Sequence, residues 1–529
     1  MLLAFTPLDY GVLIGYLLMM IVLGACFSRQ QHTNRDFFLA GQSMGWFPVG
    51  LSIMATLLSA LSYTGAPAEA SQVGLKLLIW PLTIWLTLPL MLLVVLPLYR
   101  NLGMYSIYEY LELRFDPKTR GASSVCFIVW RLLWLGGVLY APCKVLVVGA
   151  DLKISLPILL VILGAVSTLY TYLGGMKAVI WTDVIQTLIM LAGLVLIIGG
   201  IWVNVPGGAT RIWAAAEELG RTQIFQFNWE DHSSFWEEKW LVWAMVPHAF
   251  LAPLSFFVAD QITAQRYLTT KNTSEAQRSF VLNCLSVSVV FPLLVYVGMA
   301  LSIYYLDKPL DLQPDELMPQ FIVNILPAGV AGLIFAALLA ASMSSMDSGL
   351  NSIATLLVTD VYRRWNWGQH AWARLCNKDL GTLGEADELK LSRLLVMVIG
   401  VAATGFALWV STLGSIFDIM VRVVNTFGGP LMSVFLLGML TRRCTATAAL
   451  WALALGTLLT IWLAFGADWG LWPWQTRLNA VWPLTLGVAG TLSIGFLLSL
   501  FVGKRKSNQE LRGLVVGVGT LGQRHAGRT

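Results

Sequence analysis

The run Ala341-Ser342-Met343-Ser344-Ser345-Met346-Asp347-Ser348 sets hydroxyls and a carboxylate inside a long apolar stretch, 325–360. A stretch of that length can cross a bilayer. At that depth every unpaired polar group is costly, so these side chains need partners. At helical spacing Ser344, Ser345 and Ser348 fall on nearby faces with Asp347 beside them. Hydroxyl and carboxylate oxygens are hard ligands, suited to Na⁺ or Ca²⁺ rather than to soft metals. A serine at this depth can also bond back to its own helix and ease packing. Both roles account for the cluster at this level.

The elements that must hold these groups are membrane helices. The chain has 529 residues, 57% hydrophobic and 12% charged, with mean hydropathy +0.71. A soluble protein averages roughly 25% charged residues. About thirteen spans are expected: 8–27, 45–73, 76–99, 122–149, 156–173, 178–204, 240–263, 279–305, 325–360, 391–412, 415–440, 445–466 and 481–502. The first is read as a retained helix, because no basic segment or small-residue cleavage site accompanies it. Net charge is +5, and its basic residues cluster in particular loops, so they report topology rather than a nucleic-acid partner. Loops 28–44, 100–121, 264–278 and 361–394 carry Lys and Arg, among them Arg266, and the tail opens Lys504-Arg505-Lys506. The positive-inside rule therefore puts the N-terminus outside and the C-terminus in the cytoplasm of a multi-pass protein of the cell membrane. The Gly-rich tail 503–529 is expected to be mobile. Six scattered cysteines form no CxxC pair, which argues against a zinc site or a disulfide framework. Five histidines form no cluster, and neither a nucleophile motif nor a P-loop is present, so an enzyme is not expected.

Two spans carry breakers. Span 45–73 contains Ser59-Ala60-Leu61-Ser62-Tyr63-Thr64-Gly65-Ala66-Pro67, and span 240–263 contains Pro253 followed by Ser255-Phe256-Phe257. Small polar residues, Gly and Pro at mid-membrane suit a discontinuous helix whose freed carbonyls face a cavity or an ion. We expect breaks near 59–65 and near 253–257. Two such helices in corresponding positions suggest inverted repeats, the architecture of ion-coupled transporters.

Five passages resemble the sodium/solute symporters, a family that transports glucose, proline, sialic acid, iodide, vitamins and monocarboxylates. They are Leu51–Gly65, LSIMATLLSALSYTG; Gly174–Thr187, GGMKAVIWTDVIQT; Asp260–Gln277, DQITAQRYLTTKNTSEAQ; Ala340–Tyr362, AASMSSMDSGLNSIATLLVTDVY; and Asn425–Met439, NTFGGPLMSVFLLGM. The resemblance covers 5–500. It implies an all-α protein with a five-plus-five inverted-repeat core of the LeuT type, one helix before the core and two after. The corresponding divisions are 1–44, 45–205, 206–440 with an outer loop 206–239, 441–502, and the tail 503–529. It also implies Na⁺-driven uptake of a small-molecule solute by alternating access, with no cofactor beyond Na⁺ and a monomeric protein.

By the same resemblance the main Na⁺ site would use the carbonyls of Ala55, Leu58 and Ala341 with the hydroxyls of Ser344 and Ser345. A second ion site, present in some members, would match Asp183, Ser344 and Ser348. Asp347 stands where two-sodium members carry a serine, so Asp183 and Asp347 would share a second Na⁺ or hold a proton. Asp183 could instead only stabilise a helix start near Lys177. On the substrate side Ser62 and Pro253 replace amide side chains of the sugar-binding members, so the lining that includes Ser59 offers few directional hydrogen bonds. A small anion such as a monocarboxylate fits better than a sugar. Arg131, Lys144 and Arg422 could serve an anion, or could snorkel or pair with acids. Phe256 and Phe257 match an aromatic inner gate, and Asn425 joins the candidate lining. The alternatives are a proton-coupled, sugar, sialic acid or amino-acid symporter, and, from another class, a channel or sensor with a transporter-like membrane part.

Overall fold

The computed structural model describes residues 5–149, 152, 154–229, 232–306, 312–410, 417–471 and 478–522, with side chains left aside at 148, 149, 232–234, 410 and 417–425. The described residues are helical throughout the membrane body. Among the described residues ten helices are long and apolar enough to cross a membrane, and Trp46–Leu57 and Thr426–Leu440 are shorter apolar helices. The elements that matter for the site are α1 (Pro7–Ser28), α2 (Trp46–Leu57), α3 (Ala60–Val73), α4 (Pro117–Lys144), α5 (Leu156–Asn204), α6 (Val242–Ala259), α7 (Gln261–Thr269), α8 (Thr273–Leu306), α9 (Val330–Leu356), α10 (Glu385–Val410), α11 (Phe417–Leu440), α12 (Ala446–Phe465) and α13 (Trp482–Phe501).

α9 is the central post. Nearly every side chain from Ala331 to Leu356 is buried, as expected of a helix apolar on all faces apart from one polar cluster. α5, α4, α1 and α10 pack around it. α1 is tied to it directly. Thr6 and Asp9 form a capping box, and the other carboxylate oxygen of Asp9 accepts the backbone N–H groups of Gly329 (2.8 Å) and Gly332 (2.7 Å). One acid thereby satisfies the orphan donors of two helix starts.

α5 runs 49 residues but turns at Gly175, whose backbone (φ 56°, ψ −157°) is not helical. The two limbs match the expected spans 156–173 and 178–204. A positive φ favours glycine, and a Cβ here would also lie 2.7 Å from the carbonyl oxygen of Phe37. Gly175→Ala should therefore lower stability by about 2–4 kcal/mol, strain and clash together, seen as a fall in the thermal unfolding midpoint of the detergent-solubilised protein. An unchanged midpoint would show that the turn tolerates a side chain.

The stretch 79–102 is a helix stitched from α, 3-10 and π turns. Pro81, Pro89 and Pro97 recur along it, and each removes a ladder donor, which keeps the turns irregular.

The first expected break is present. α2 ends at Leu58 (φ −89°, ψ 69°) and α3 begins after Ser59, just N-terminal of the Gly and Pro that suggested it. The second lies elsewhere. α6 continues through Pro247 and Pro253, and the chain leaves helical geometry only at Asp260 (φ −95°, ψ 115°). Asp260 stops α6 and starts α7, accepting the N–H of Ile262 at 2.9 Å as an N-cap. Pro253 costs one hydrogen bond without ending the helix.

The tail also departs from expectation over the part described. Leu511, Leu514 and Val515 are buried. Val516 N–H donates to the Met439 carbonyl (2.9 Å), and Tyr110 Oη donates to the Leu514 carbonyl (3.1 Å). Asn101 and Arg442 hold the carbonyls of Leu521 and Gly517. Three apolar side chains among the glycines supply the burial that composition alone conceals. Leu514→Asp should lower the unfolding midpoint through about 2–3 kcal/mol of lost burial; a mobile tail would show no change.

Candidate functional site

At the break between α2 and α3 the last carbonyls of α2 lose their helical donors. One of them meets α9. Ser344 Oγ donates to the carbonyl of Ala55 (3.2 Å) and to that of Ala341 (3.1 Å), and Ser345 Oγ lies 3.4 Å from the Ala341 carbonyl. Ala55, Ala341 and Ser344 are fully buried, Ser345 nearly so, and Leu58 is 6% exposed. The structure thus gathers four of the five expected ligands at one crossing, with Leu58 at the break itself. Ser59 Oγ, one residue on, is buried without a hydrogen-bond partner among the described residues. Its backbone carbonyl accepts the N–H groups of Ser62 and Tyr63, both at 2.9 Å, which starts α3. Such a crossing of carbonyls and hydroxyls has the oxygen chemistry of an Na⁺ site and imports no charge.

One turn further along α9 lies a second polar pocket. Asp183, Asp347 and Ser348 meet there, together with a residue that sequence reasoning placed in a loop. Arg266 sits on α7, a helix whose nine side chains are all buried. Its guanidinium is completely inaccessible. Nη2 donates to Asp183 Oδ2 (2.7 Å) and to Ser348 Oγ (2.6 Å), Nε donates to Ser52 Oγ (2.6 Å), and Nη1 donates to the Ile262 carbonyl (2.8 Å). Ser52 Oγ donates in turn to Asp183 Oδ2 at 2.5 Å. Asp183 is thus neither a helix-start residue facing Lys177 nor paired with Asp347 alone; it is the counter-ion of a buried arginine. Asp347 lies on the far side of Ser348. It accepts from Tyr170 Oη (2.7 Å), and Ser348 Oγ stands 2.9 Å from its other oxygen. Ser344 is absent from this pocket except through its backbone, whose carbonyl accepts from Ser348 Oγ at 2.5 Å.

The candidate gate resolves into different roles. Arg131 pairs with Asp260, the residue at the second break, and both are buried. Its guanidinium carbon lies 4.2 Å from the ring centroid of Trp130 and 5.1 Å from that of Phe256, so it is held by an acid and two aromatic faces. Of the two roles open to Arg131, the structure shows the pairing with an acid, and Asp260 already balances its charge. Phe256 is half-buried beside Trp130, with ring centroids 5.8 Å apart. Phe257 faces away from it, fully buried and edge-on to Phe280 at 4.8 Å, which is packing. Ser62 is half-buried and Lys144 exposed, as a snorkelling residue would be. The side chains of Arg422 and Asn425 lie outside the described residues.

Arg266 and Asp260 are the charged site residues that composition concealed, and Ser52 and Tyr170 join them as polar partners the sequence reading did not single out. The signal was present in the passage DQITAQRY, where an acid and a base interrupt a segment otherwise able to be a short amphipathic helix.

A family model for the sodium:solute symporter family matches residues 37–456. The chain is 29% identical over 496 residues to the sodium/sialic acid symporter SiaT of Proteus mirabilis, covering 92% of this chain and 94% of that one. It is 30% identical over 500 residues to the human sodium/iodide cotransporter, covering 92% and 74%. It is 31% identical over 476 residues to the human sodium-coupled monocarboxylate transporter 1, covering 88% and 74%. Among solved structures, a Na⁺-coupled sialic acid symporter in a substrate-bound outward-open state superposes with TM-score 0.82 at 28% identity, covering 95% of this chain and 99% of that one.

Proposed function

The chain belongs to the sodium:solute symporter family, and from that premise we propose that it imports a small organic anion of the monocarboxylate class together with Na⁺, by alternating access. As a family member it is a multi-pass membrane transporter rather than an enzyme, with Na⁺ as coupling ion. The observation that carries the reading is the crossing of Ala55, Ala341 and Ser344 oxygens at a helix break. An ion bound there ties α2 to α9, so its arrival and departure can bias which side of the membrane the site faces. The reading takes Leu58 and Ser345 as the remaining ligands, and Ser59, Ser62 and Phe256 as lining of the solute site. It retains Arg422 and Asn425 from the sequence, and it sets thirteen spans, an external N-terminus, a cytoplasmic C-terminus and a monomer in the cell membrane.

The small-anion assignment rests on the polarity of the lining. Serines and aromatic faces offer a carboxylate a few hydrogen bonds and an apolar wall, whereas a sugar needs many directional partners. A second reading, sialic acid, is favoured by the Proteus mirabilis relative, matched over 94% of its length, and by the superposed structure, both sialic acid symporters. Uptake of labelled monocarboxylates, sialic acids, amino acids and sugars into proteoliposomes, with Na⁺ or choline outside, separates them. Accumulation of a monocarboxylate only under a Na⁺ gradient is expected. Accumulation that is equal in choline would overturn the coupling, and sialic acid alone accumulating would overturn the substrate class.

A further inference from the structure

We propose that the cleft between the start of α2 and the first turns of α8 binds one anionic phospholipid, with its phosphate on Arg278 and an acyl chain laid along Val281, Leu282 and Leu285. The site needs only a membrane around the protein and does not depend on which solute or ion is carried.

The groove encloses about 540 Å³. Its lining changes character along α8. Ser274, Gln277 and Arg278 line one end and Val281, Leu282 and Leu285 the other, with Trp46 of α2 facing them. Positions 274, 278, 281, 282 and 285 recur at spacings of three and four, so they share one face of the helix. From Arg278 to Leu285 that face runs about 10 Å. A phospholipid presents the same order, a charged head and then an apolar chain. Leu285 is exposed, and so is Val289 one turn on. The apolar face thus continues past the groove in the direction the chain would take. Lipid tails are as apolar as leucine and cover such a face readily.

The backbone fixes both walls. Met44 N–H donates to the Thr269 carbonyl (3.1 Å), and Lys271 N–H donates to the Met44 carbonyl (3.2 Å). Trp46 N–H donates to Glu275 Oε2 at 2.7 Å. Beyond the cleft the two helices close on each other. A Cβ on Gly50 would lie 2.8 Å from Leu282 Cδ2 and 2.8 Å from the Ser279 carbonyl oxygen. That contact makes the floor. Trp46 and Phe47 are both exposed and stand edge to face, ring centroids 5.7 Å apart. Such aromatics favour the membrane–water boundary, which puts Arg278 at headgroup depth.

Charge selects the head. The Arg278 side chain is 65% exposed, and the acid beside it, Glu275, lies 3.7 Å away. That is too far for a hydrogen bond, and Glu275 already holds the Trp46 N–H. Lys271 is exposed just before α8, and the Arg100 guanidinium donates to its carbonyl at 2.9 Å. Three cations therefore stand at this end of the helix, and the positive end of its dipole adds to them. A phosphate can take a guanidinium in a bidentate way. A choline headgroup would bring a cation of its own into this field, whereas a glycerol headgroup brings hydroxyls that suit Ser274 and Gln277.

Thermal unfolding of the detergent-solubilised protein, titrated with dioleoylphosphatidylglycerol, tests this. The midpoint should rise to saturation. Dioleoylphosphatidylcholine should need about tenfold more for the same rise, and inorganic phosphate, which lacks the chain, should do nothing. Arg278→Ala should lose the preference between the two lipids while its lipid-free midpoint stays at the wild-type value. Leu285→Trp, which fills the apolar end, should weaken both lipids alike. Arg443→Ala, which removes an exposed cation elsewhere, should behave as the wild type. Native mass spectrometry supplies the count, one phosphatidylglycerol retained by the wild type and lost from Arg278→Ala. Equal responses to the two lipids in the wild type would overturn the site. So would full retention by Arg278→Ala, or an Arg443→Ala variant that loses the preference as completely, which would show adsorption to a generally positive surface. A response to inorganic phosphate equal to that of the lipid would overturn it as a lipid site. Uptake independent of Na⁺ would instead overturn the symport reading and leave this site standing.

Discussion

Arg266→Met should cost about 3–5 kcal/mol of stability, enough to prevent recovery of folded protein in mild detergent or to lower its unfolding midpoint sharply. The reason is what remains. Asp183 is fully buried, and without the guanidinium its carboxylate keeps one hydroxyl donor, Ser52. An uncompensated charge in a water-free interior is far more expensive than the ion pair it came from. Removing both charges should restore most of the loss, because Arg266→Met with Asp183→Leu replaces the pair by apolar volume. Arg266→Lys should fall between. An ammonium cannot contact Ser52 through one nitrogen while reaching both Asp183 and Ser348 through another, as the fork does. The unfolding midpoints of the single and double variants decide it. A double variant no more stable than Arg266→Met would mean that the guanidinium serves packing alone.

That arginine also marks the limit of what the sequence discloses. The helices were legible because apolar runs of membrane length leave few alternatives, and the serine cluster was legible because hydroxyls and an acid are costly at that depth. The first break was legible from Ser, Gly and Pro in succession. The second was misplaced because Pro253 is the stronger breaker in the abstract, yet α6 absorbs it. Asp260 breaks the helix because its carboxylate caps α7 and pairs with Arg131, two partners distant in sequence or invisible before the fold is known. Arg266 follows a loop-like pattern of charge and lies next to Lys271 and Arg278, so the positive-inside rule assigns it to a surface. Only the packing of α7 against α2 and α9, with Asp183 of α5 within reach of its guanidinium, reveals that Arg266 faces inward. Likewise Phe256 and Phe257 are adjacent and identical in type. Their directions, one toward Arg131 and one toward Phe280, come from the helix they share.

Ser344→Ala should raise the Na⁺ concentration for half-maximal effect about tenfold, the loss of one ion–oxygen contact worth about 1.4 kcal/mol. Ser345→Ala should raise it less. The difference follows from geometry. Ser344 Oγ is shared between α2 and α9, 3.2 Å from the Ala55 carbonyl and 3.1 Å from that of Ala341, whereas Ser345 approaches only its own helix, at 3.4 Å. Truncating Ser344 therefore removes a ligand and the tie across the helix break together. Thermal stabilisation by Na⁺ against choline measures this without knowledge of the solute, since an ion that binds the folded state alone raises the midpoint with its concentration. Ser344→Thr keeps the hydroxyl and should retain most of the response. An unaltered Na⁺ response in Ser344→Ala, with the fold intact, would place the coupling ion away from this crossing. The ordering of the two serines is the sharper criterion, because a nonspecific loss of packing at buried positions one residue apart gives no reason for Ser344 to matter more.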